Sequence, residues 1–242
     1  MWQELRDELH PKGLEIVSVG LDSVGADACR PFIEAACPRH PSLVDRHHAM
    51  AELFGVVNIP SSVWIDEAGV IVRPAEAAPA PRRAERPTVD PSTVPGRFGE
   101  IMAEATKIRS DADGYHTALG DWVEHGADSR YALSRDEVVA RSQPRDAAAA
   151  RGTAHFELAT HLEIEGHHDA AIAHFREAHR LVPDNFAYKR QAWSLEPGAE
   201  GPLARFWQGP TDADPAAWPY EGDWLTDVRE FGAENYYPTF RP

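Results

Sequence analysis

The amino-terminal part of the chain alternates between helical and strand-like spacing of its apolar residues. Trp2, Leu5 and Leu9 recur every three or four positions, which predicts an amphipathic helix. The mostly apolar run 14–22 predicts a buried strand, and the shorter run 42–45 predicts a second one. This alternation is typical of an α/β fold.

Two further helices are predicted between and after these strands. Pro31 suits a first helical position, so it predicts a helix that begins there and ends before Pro38. The pattern over 48–54 predicts a helix with one apolar face, and Gly55 predicts the left-handed residue that ends it. Both helices therefore fit the α/β alternation.

Pro60 stands directly in front of a predicted β-hairpin. The runs 62–66 and 70–73 are rich in β-branched and aromatic residues, and Gly69 lies in the turn between them. Proline lacks the backbone donor of a central strand, so it belongs at a strand's first residue, on an edge or in a cis bond.

The composition changes after the hairpin. Proline and alanine dominate 75–96, which predicts a linker. The residues 97–202 show helical spacing and predict a helical domain. The segment 203–242 is aromatic, and because aromatic surface is costly to leave in water, we expect this tail to pack on the body.

The order of elements in residues 1–74 resembles the downstream half of thioredoxin-like redoxins of the TlpA/ResA and AhpC/TSA type. The resemblance rests on LEIVSVGLD, HPSLVD, a helix that ends in FGVVNIP, and SVWIDEAGVIVRP. It implies that the Ile59–Pro60 bond is cis and that Ile59 and Pro60 present backbone to a bound substrate. It also implies a thiol–disulfide or peroxide redox role.

The cysteine pair of that family is absent from this chain. The resemblance places Cys-x-x-Cys at the start of the helix whose later turns look like MWQELRDELHPKGLEI, where this sequence begins. Three readings stay open: a natural start further upstream, the loss of a first βα unit, or a catalytically silent remnant of the fold. The expected fold is thus a partial thioredoxin-like α/β half followed by an all-α half.

Cys29 and Cys37 are the two cysteines of the chain. A helix between them would hold their Cα atoms about 12 Å apart, beyond the reach of about 7 Å for a disulfide. Cys29 would precede the helix predicted at Pro31, where the helix dipole lowers the pKa of a thiol. Cys29 is therefore a weak candidate for a catalytic thiol, and so few cysteines fit a reducing, cytoplasmic compartment.

The segment 154–187 resembles one tetratricopeptide repeat (TPR), and a generic helical hairpin is the alternative. One such repeat cannot bury both of its faces, so it must pack on neighbouring segments. Together with phrases such as NFAYKRQAWSL and ENYYP, it resembles the helical region of actinobacterial redoxin-like proteins. The residues at the repeat's small and large positions are Leu158, Ala159, Leu162, Gly166, Ala171, Phe175, Ala178 and Pro183.

Charge and motifs exclude several classes of function. A net charge of -15 and a pI near 5.2 argue against a nucleic-acid or anionic-membrane surface. No run approaches the roughly 18 apolar residues of a membrane-spanning helix, and no signal peptide precedes the first helix. None of the 12 histidines is three or four residues from another, and no phosphate loop, HExxH or GxSxG appears, so neither a metal nor a cofactor is expected.

Two functions follow from these observations. The first is a redoxin whose cysteine pair lies outside this sequence, with Pro60 shaping the substrate groove. The alternative is a non-catalytic module with TPR-like helices that binds a protein or peptide partner.

Overall fold

Helices and two small sheets make up the structure, which is a computed structural model. The mixture of α and β elements agrees with the coarse prediction from the sequence. The structure describes residues 2–79, 90–142, 144–196, 208–210 and 214–237.

The helices and strands follow one another in an order close to that predicted. Strands occur only in the first third of the described residues, and helices follow. In chain order the elements are α1 Trp2–Leu9, β1 Ser18–Leu21, α2 Ala26–Ala36, β2 Ser42–Asp45, α3 Ala49–Phe54, β3 Ser61–Ile65, β4 Ile71–Ala77, α4 Gly96–Ala105, α5 Ala112–His125, α6 Arg135–Arg141, α7 Ala147–Ile164, α8 His168–Leu181, α9 Phe186–Ser194 and α10 Trp224–Phe231.

The chain divides into two compact units that interleave along the sequence. The first unit contains the described residues up to 79 together with Asp111–Arg145, and the second contains 90–110 and the described residues from 146 onward. The predicted boundaries at 74 and 97 therefore differ from those of the units. Helices α5 and α6, which lie within the predicted helical domain 97–202, belong to the first unit.

The first sheet pairs β1 with β2 in parallel, from Ser18 opposite Ser42 to Leu21 opposite Asp45. The predicted strand 42–45 is confirmed. The predicted buried strand 14–22 is wrong in extent and burial, because β1 has only four residues and all of them are half-buried.

The second sheet is the predicted antiparallel hairpin of β3 and β4. Residues of the turn itself stabilise it. The Asp66 carboxylate accepts hydrogen bonds from the N–H groups of Ala68 and Val70, and Gly69 adopts φ +78°. Strand β4 continues to Ala77, so the predicted linker 75–96 begins too early. It also ends too late, because α4 begins within it; the part at 80–89 lies outside the described residues.

Trp64 of β3 lies at the centre of the first unit's hydrophobic core. Its ring stacks on Trp122 at 5.1 Å between centroids, and its indole N–H donates to the hydroxyl of Tyr115 at 3.2 Å. Helix α5 therefore joins the first unit because it covers the hairpin. The buried residues of this core are Leu5, Leu9, Trp64, Ala78, Tyr115, Ala118, Leu119 and Tyr131.

Helices α7 and α8 form a close hairpin at the centre of the second unit. Ala159, Ala171 and Ala178 are fully buried at 0 % exposure, so the two helices approach as the small residues predict. Gly166, with φ +81°, turns the chain between them. Leu158, one of the residues assigned to the small and large positions of the repeat, has a side chain that is 42 % exposed.

Aromatic residues from the end of the chain complete this second core. Tyr236 packs on Phe186 of α9 at 4.8 Å between ring centroids, and in the same core Phe156 stacks on Tyr188 of α9 at 3.9 Å. Parts of the predicted tail 203–242, namely 203–207, 211–213 and 238–242, lie outside the described residues. The core includes Phe156, Phe175, Phe186, Tyr188, Trp193, Tyr220, Trp224, Leu225, Val228 and Tyr236.

Candidate functional site

Helix α2 sets the positions of both cysteines. It begins at Ala26, after Gly25 turns the chain with φ +94°, so the predicted start at Pro31 is wrong. Pro31 lies inside the helix, where its ring removes one backbone hydrogen bond. As a result, Cys29 lies in the first turn of α2, and Cys37 follows its last residue.

The thiol of Cys29 is packed against β1. Its Sγ atom lies 3.0 Å from the position that a Cβ atom on Gly20 would occupy, so this contact needs glycine. Burial and the nearby Asp22 carboxylate raise the pKa of Cys29. The expected lowering by the helix dipole is therefore wrong, and a thiol that stays protonated at neutral pH is a poor nucleophile.

Cys37 cannot form a disulfide with Cys29. Both cysteines are free, and Cys37 is exposed in a left-handed conformation at the end of α2. Because helix α2 joins them, their Cα atoms are about 12 Å apart, and a disulfide between them is excluded. The described geometry thus contains no dithiol.

Ile59 and Pro60 form the loop that leads into β3. The bond between them is cis, as the resemblance predicts. The loop is fixed by the buried Asn58, whose side chain accepts from the Ile59 N–H at 2.9 Å and whose carbonyl accepts from the Ser61 hydroxyl at 2.6 Å. Ile59 and Pro60 are exposed, whereas Cys29 packs on β1 of the other sheet.

The chain between 17 and 57 exposes a series of large apolar side chains. We call residues 17–57, which include β1, α2, β2 and α3, the open segment. It supplies no residue to the cluster around Trp64, and α2 buries none of its residues, although the small side chain of Ala51 in α3 is buried. Its exposed large hydrophobic side chains are Val17, Val24, Phe32, Leu43, Met50, Leu53 and Val57.

The sequence analysis did not predict that these apolar side chains are exposed. An amphipathic pattern indicates that a helix has an apolar face but does not show what covers that face. The prediction of a long buried strand over 14–22 also implied a larger sheet surface than the four residues of β1 provide. Leu53 illustrates the outcome, because it lies on the predicted apolar face of α3 and is 83 % exposed.

Both sheets also have an open edge. Strand β1 pairs with β2 alone, and β3 pairs with β4 alone, among the strands that the structure describes. The other edges of β1 and β3 therefore present backbone N–H and C=O groups that suit the addition of a further strand.

A buried polar cluster in the second unit joins the α7–α8 turn to later segments. His168 Nδ1 lies 2.8 Å from Glu163 and its Nε2 lies 3.5 Å from Glu196, whose carboxylate accepts from the Tyr220 hydroxyl at 3.0 Å. Burial raises the pKa of Glu196. Burial by itself would lower the pKa of His168, but the hydrogen bond to Glu163 and the charge of Glu196 raise it overall.

His179 is the opposite case in the same unit. Its ring lies 6.0 Å from Trp193 and 5.2 Å from Tyr220, measured between centroids. Burial, with the positive charge of Lys189, lowers the pKa of His179 to about 3. His179 is therefore neutral at physiological pH, whereas the pKa of His168 is shifted in the opposite direction.

No family model, no curated protein and no solved structure matches this chain. Among the residues that the structure describes, no helix combines the length and apolar character needed to cross a membrane. The same residues bring together no set of three or more His, Cys, Asp or Glu side chains suited to a metal ion.

Proposed function

We propose that this chain is a non-catalytic protein-binding module with a thioredoxin-like α/β part and TPR-like helices. In this proposal the open segment binds an extended apolar stretch of a partner protein. The observation that carries it is the exposure of large apolar side chains along 17–57, none of which joins the cluster around Trp64. Soluble proteins seldom leave such a series uncovered unless it is an interaction surface.

The energy available at this surface is large enough for binding. Burying a large aliphatic or aromatic side chain contributes about 1.5–3 kcal/mol. Phe32 and Leu53 are 52 % and 83 % exposed, so burying each of them gains the corresponding fraction of this value, and the other exposed side chains of the open segment add further fractions. This offsets the loss of translational and rotational freedom, which costs at least about 4 kcal/mol.

The open edge of β1 favours an extended partner. A strand laid along this edge satisfies the outward backbone groups of β1, while its alternate side chains reach the apolar surface beside it. Val17 precedes β1 and is 53 % exposed, so it meets the side chains of an added strand.

A redox role has less support than binding. It needs a thiolate, and the pKa of Cys29 is raised, while Cys37 lies too far away to resolve a mixed disulfide. We expect this chain to reduce insulin disulfides no faster than dithiothreitol alone, with no change in Cys29→Ser. Turnover that Cys29→Ser abolishes would contradict the binding proposal and favour the redoxin.

The binding proposal is tested with labelled extended peptides of about eight residues that alternate valine and threonine. We expect saturable binding by fluorescence anisotropy, and at least a tenfold loss of affinity in Val17→Asp. A peptide with the same side chains but N-methylated backbone amides should not bind, because it cannot pair with a strand edge.

The matched control is Val139→Asp on α6 of the same unit. Val139 is 62 % exposed but lies outside the open segment, so its change should leave the affinity within twofold. Equal losses in the two variants, or equal binding of the N-methylated peptide, would show non-specific apolar adsorption and overturn the proposal.

A further inference from the structure

Two histidines face each other across the α7–α8 hairpin. The Nδ1 atoms of His155 and His174 are 2.9 Å apart, and the ring centroids are 5.1 Å apart with a tilt of 31°. This is a hydrogen-bond distance, at which one Nδ1 donates and the other accepts. When both rings carry their proton on Nε2, the two Nδ1 lone pairs face the same gap.

The core beneath them fixes this geometry. Each histidine directly precedes a phenylalanine, Phe156 or Phe175, that is 1 % exposed. The two phenylalanine rings lie 5.8 Å apart and set the register of α7 against α8. Because both backbones are held in this way, the histidine pair is preorganised by the helices rather than by a loop.

We propose that His155 and His174 form a two-ligand site for a divalent transition metal such as Ni²⁺, Cu²⁺ or Zn²⁺. Imidazole nitrogens bind these metals at about 2.0–2.1 Å, and two of them on a tetrahedral ion lie about 3.3 Å apart. The rings need to separate by only a few tenths of an ångström for the ion to enter between the two Nδ1 atoms, and the donating ring then carries its proton on Nε2 instead of Nδ1. Water completes the coordination shell.

The neighbouring Glu177 is engaged by Arg180, so among the described residues the site has only the two histidines as protein ligands. Glu177 lies one turn after His174, and its pKa is lowered by the hydrogen bond from Arg180 and also by His155 and Arg151. Its carboxylate is engaged by Arg180 at 2.8 Å, so it supplies a nearby negative charge and not a third ligand. Two imidazoles favour borderline metals over Mg²⁺, which prefers oxygen ligands.

The histidine pattern in the sequence does not reveal this site. Spacing of three or four residues detects pairs on one helix, whereas His155 and His174 lie on two helices and meet only because the hairpin closes.

The test measures Ni²⁺ binding to the full chain by calorimetry and Cu²⁺ binding by electron paramagnetic resonance. We expect a saturable site whose affinity falls at least tenfold in His155→Ala and in His174→Ala. The first equivalent of Cu²⁺ should show hyperfine coupling to two nitrogens, reduced to one in either variant. Mg²⁺ should not bind at this site.

His161→Ala is the matched control, because His161 is an exposed histidine on the same helix; its affinity should stay within twofold of the wild type. If an alanine variant loses helical circular dichroism, His155→Gln, which keeps a hydrogen-bonding group beside His174, replaces it. Wild-type affinity in the His155→Ala/His174→Ala double variant would overturn the proposal. So would the lack of saturable binding below about 1 mM, the range of weak association.

Discussion

Arg73 shows how a single residue ties the first unit together. Its side chain is 1 % exposed and donates to the Tyr131 carbonyl at 2.7 Å and to Glu76 at 2.9 Å. Its guanidinium also lies 5.4 Å from the centroid of the Trp64 ring. A buried cation is tolerated here because every direction offers an acceptor or an aromatic face.

We predict that Arg73→Ala lowers the free energy of unfolding of the first unit by about 3 kcal/mol, because it leaves the buried Tyr131 carbonyl without this donor and removes the more buried of two cationic partners of Glu76. Urea denaturation followed by tryptophan fluorescence measures this loss. The control is Arg141→Ala, which removes a second, more exposed partner of Glu76 and should cost under about 1 kcal/mol. Equal costs would show that burial of Arg73 is unimportant.

His179 gives the second unit a dependence on acid. The pKa of His179 is about 3 in the folded chain and about 6.5 when unfolded, so protons favour the unfolded state. The titration of His179 therefore leaves the free energy of unfolding unchanged above about pH 6.5. Below that pH it lowers the free energy of unfolding by about 1.4 kcal/mol per pH unit, down to about pH 3. We predict that His179→Gln removes this part of the pH dependence in urea midpoints measured between pH 7 and 4.

His168 should show the opposite sign. Its pKa is raised beside Glu163 and Glu196, so its contribution is complete below about pH 6.5 and is lost as the pH rises through the folded pKa. His168→Ala should therefore lose most stability at acidic pH and least at alkaline pH. The same direction of change in His168→Ala and His179→Gln would contradict both assignments.

At the scale of elements, alanine substitutions at two glycines of the first unit should have opposite effects on stability. Gly69 in the β3–β4 turn has φ +78°, whereas Gly120 lies inside α5 without a positive φ, and nothing lies within 4 Å of a Cβ atom added to either. Any effect of alanine at these positions is therefore a backbone effect.

We predict that Gly69→Ala destabilises the first unit by about 1 kcal/mol, because L residues avoid this conformation. Gly120→Ala should stabilise it by about 0.5–1 kcal/mol through helix propensity. Thermal unfolding of the two variants side by side measures the difference. A stabilising Gly69→Ala would mean that the turn has another conformation.

Elements governed by local chemistry were predictable from the sequence. The hairpin and the end of α3 at Gly55 depend on residues within about one turn, such as Asp66 and Gly69. The start of α2 was not predictable, because Gly25 turns the chain earlier than Pro31 and packs against the side chain of Arg46 from a distant segment.

The candidate site was predictable only in part. The sequence spacing correctly predicted that Cys29 and Cys37 are too far apart for a disulfide. It does not show the pKa of Cys29, which depends on Asp22 and on packing against β1. The exposure of the open segment likewise depends on what the whole first unit leaves uncovered.

At the scale of the whole molecule, the end of the chain is part of the second core. Tyr220, Trp224, Leu225, Val228 and Tyr236 are each at most 7 % exposed. We predict that deleting residues 203–242 abolishes cooperative unfolding of the second unit, because the remaining helices lose the residues that cover Phe186 and Trp193. Urea titrations followed by far-ultraviolet circular dichroism test this.

A point variant at an exposed position of the same region shows whether the buried side chains, and not the region as a whole, are responsible for the loss of stability. Phe231→Ala removes a side chain of α10 that is 43 % exposed and should retain a cooperative transition. A cooperative transition of the second unit in the truncated chain would contradict a structural role for this region.

The interleaving of the two units has a consequence for synthesis. Residues 90–110 of the second unit separate the hairpin of the first from α5, which carries Tyr115 and Trp122. At roughly 5–20 residues per second, the ribosome releases Trp64 a few seconds before the residues that cover it. During that interval the nascent hairpin presents an uncovered indole close in sequence to the apolar open segment, so aggregation of the growing chain has its longest opportunity between the synthesis of β4 and that of α5.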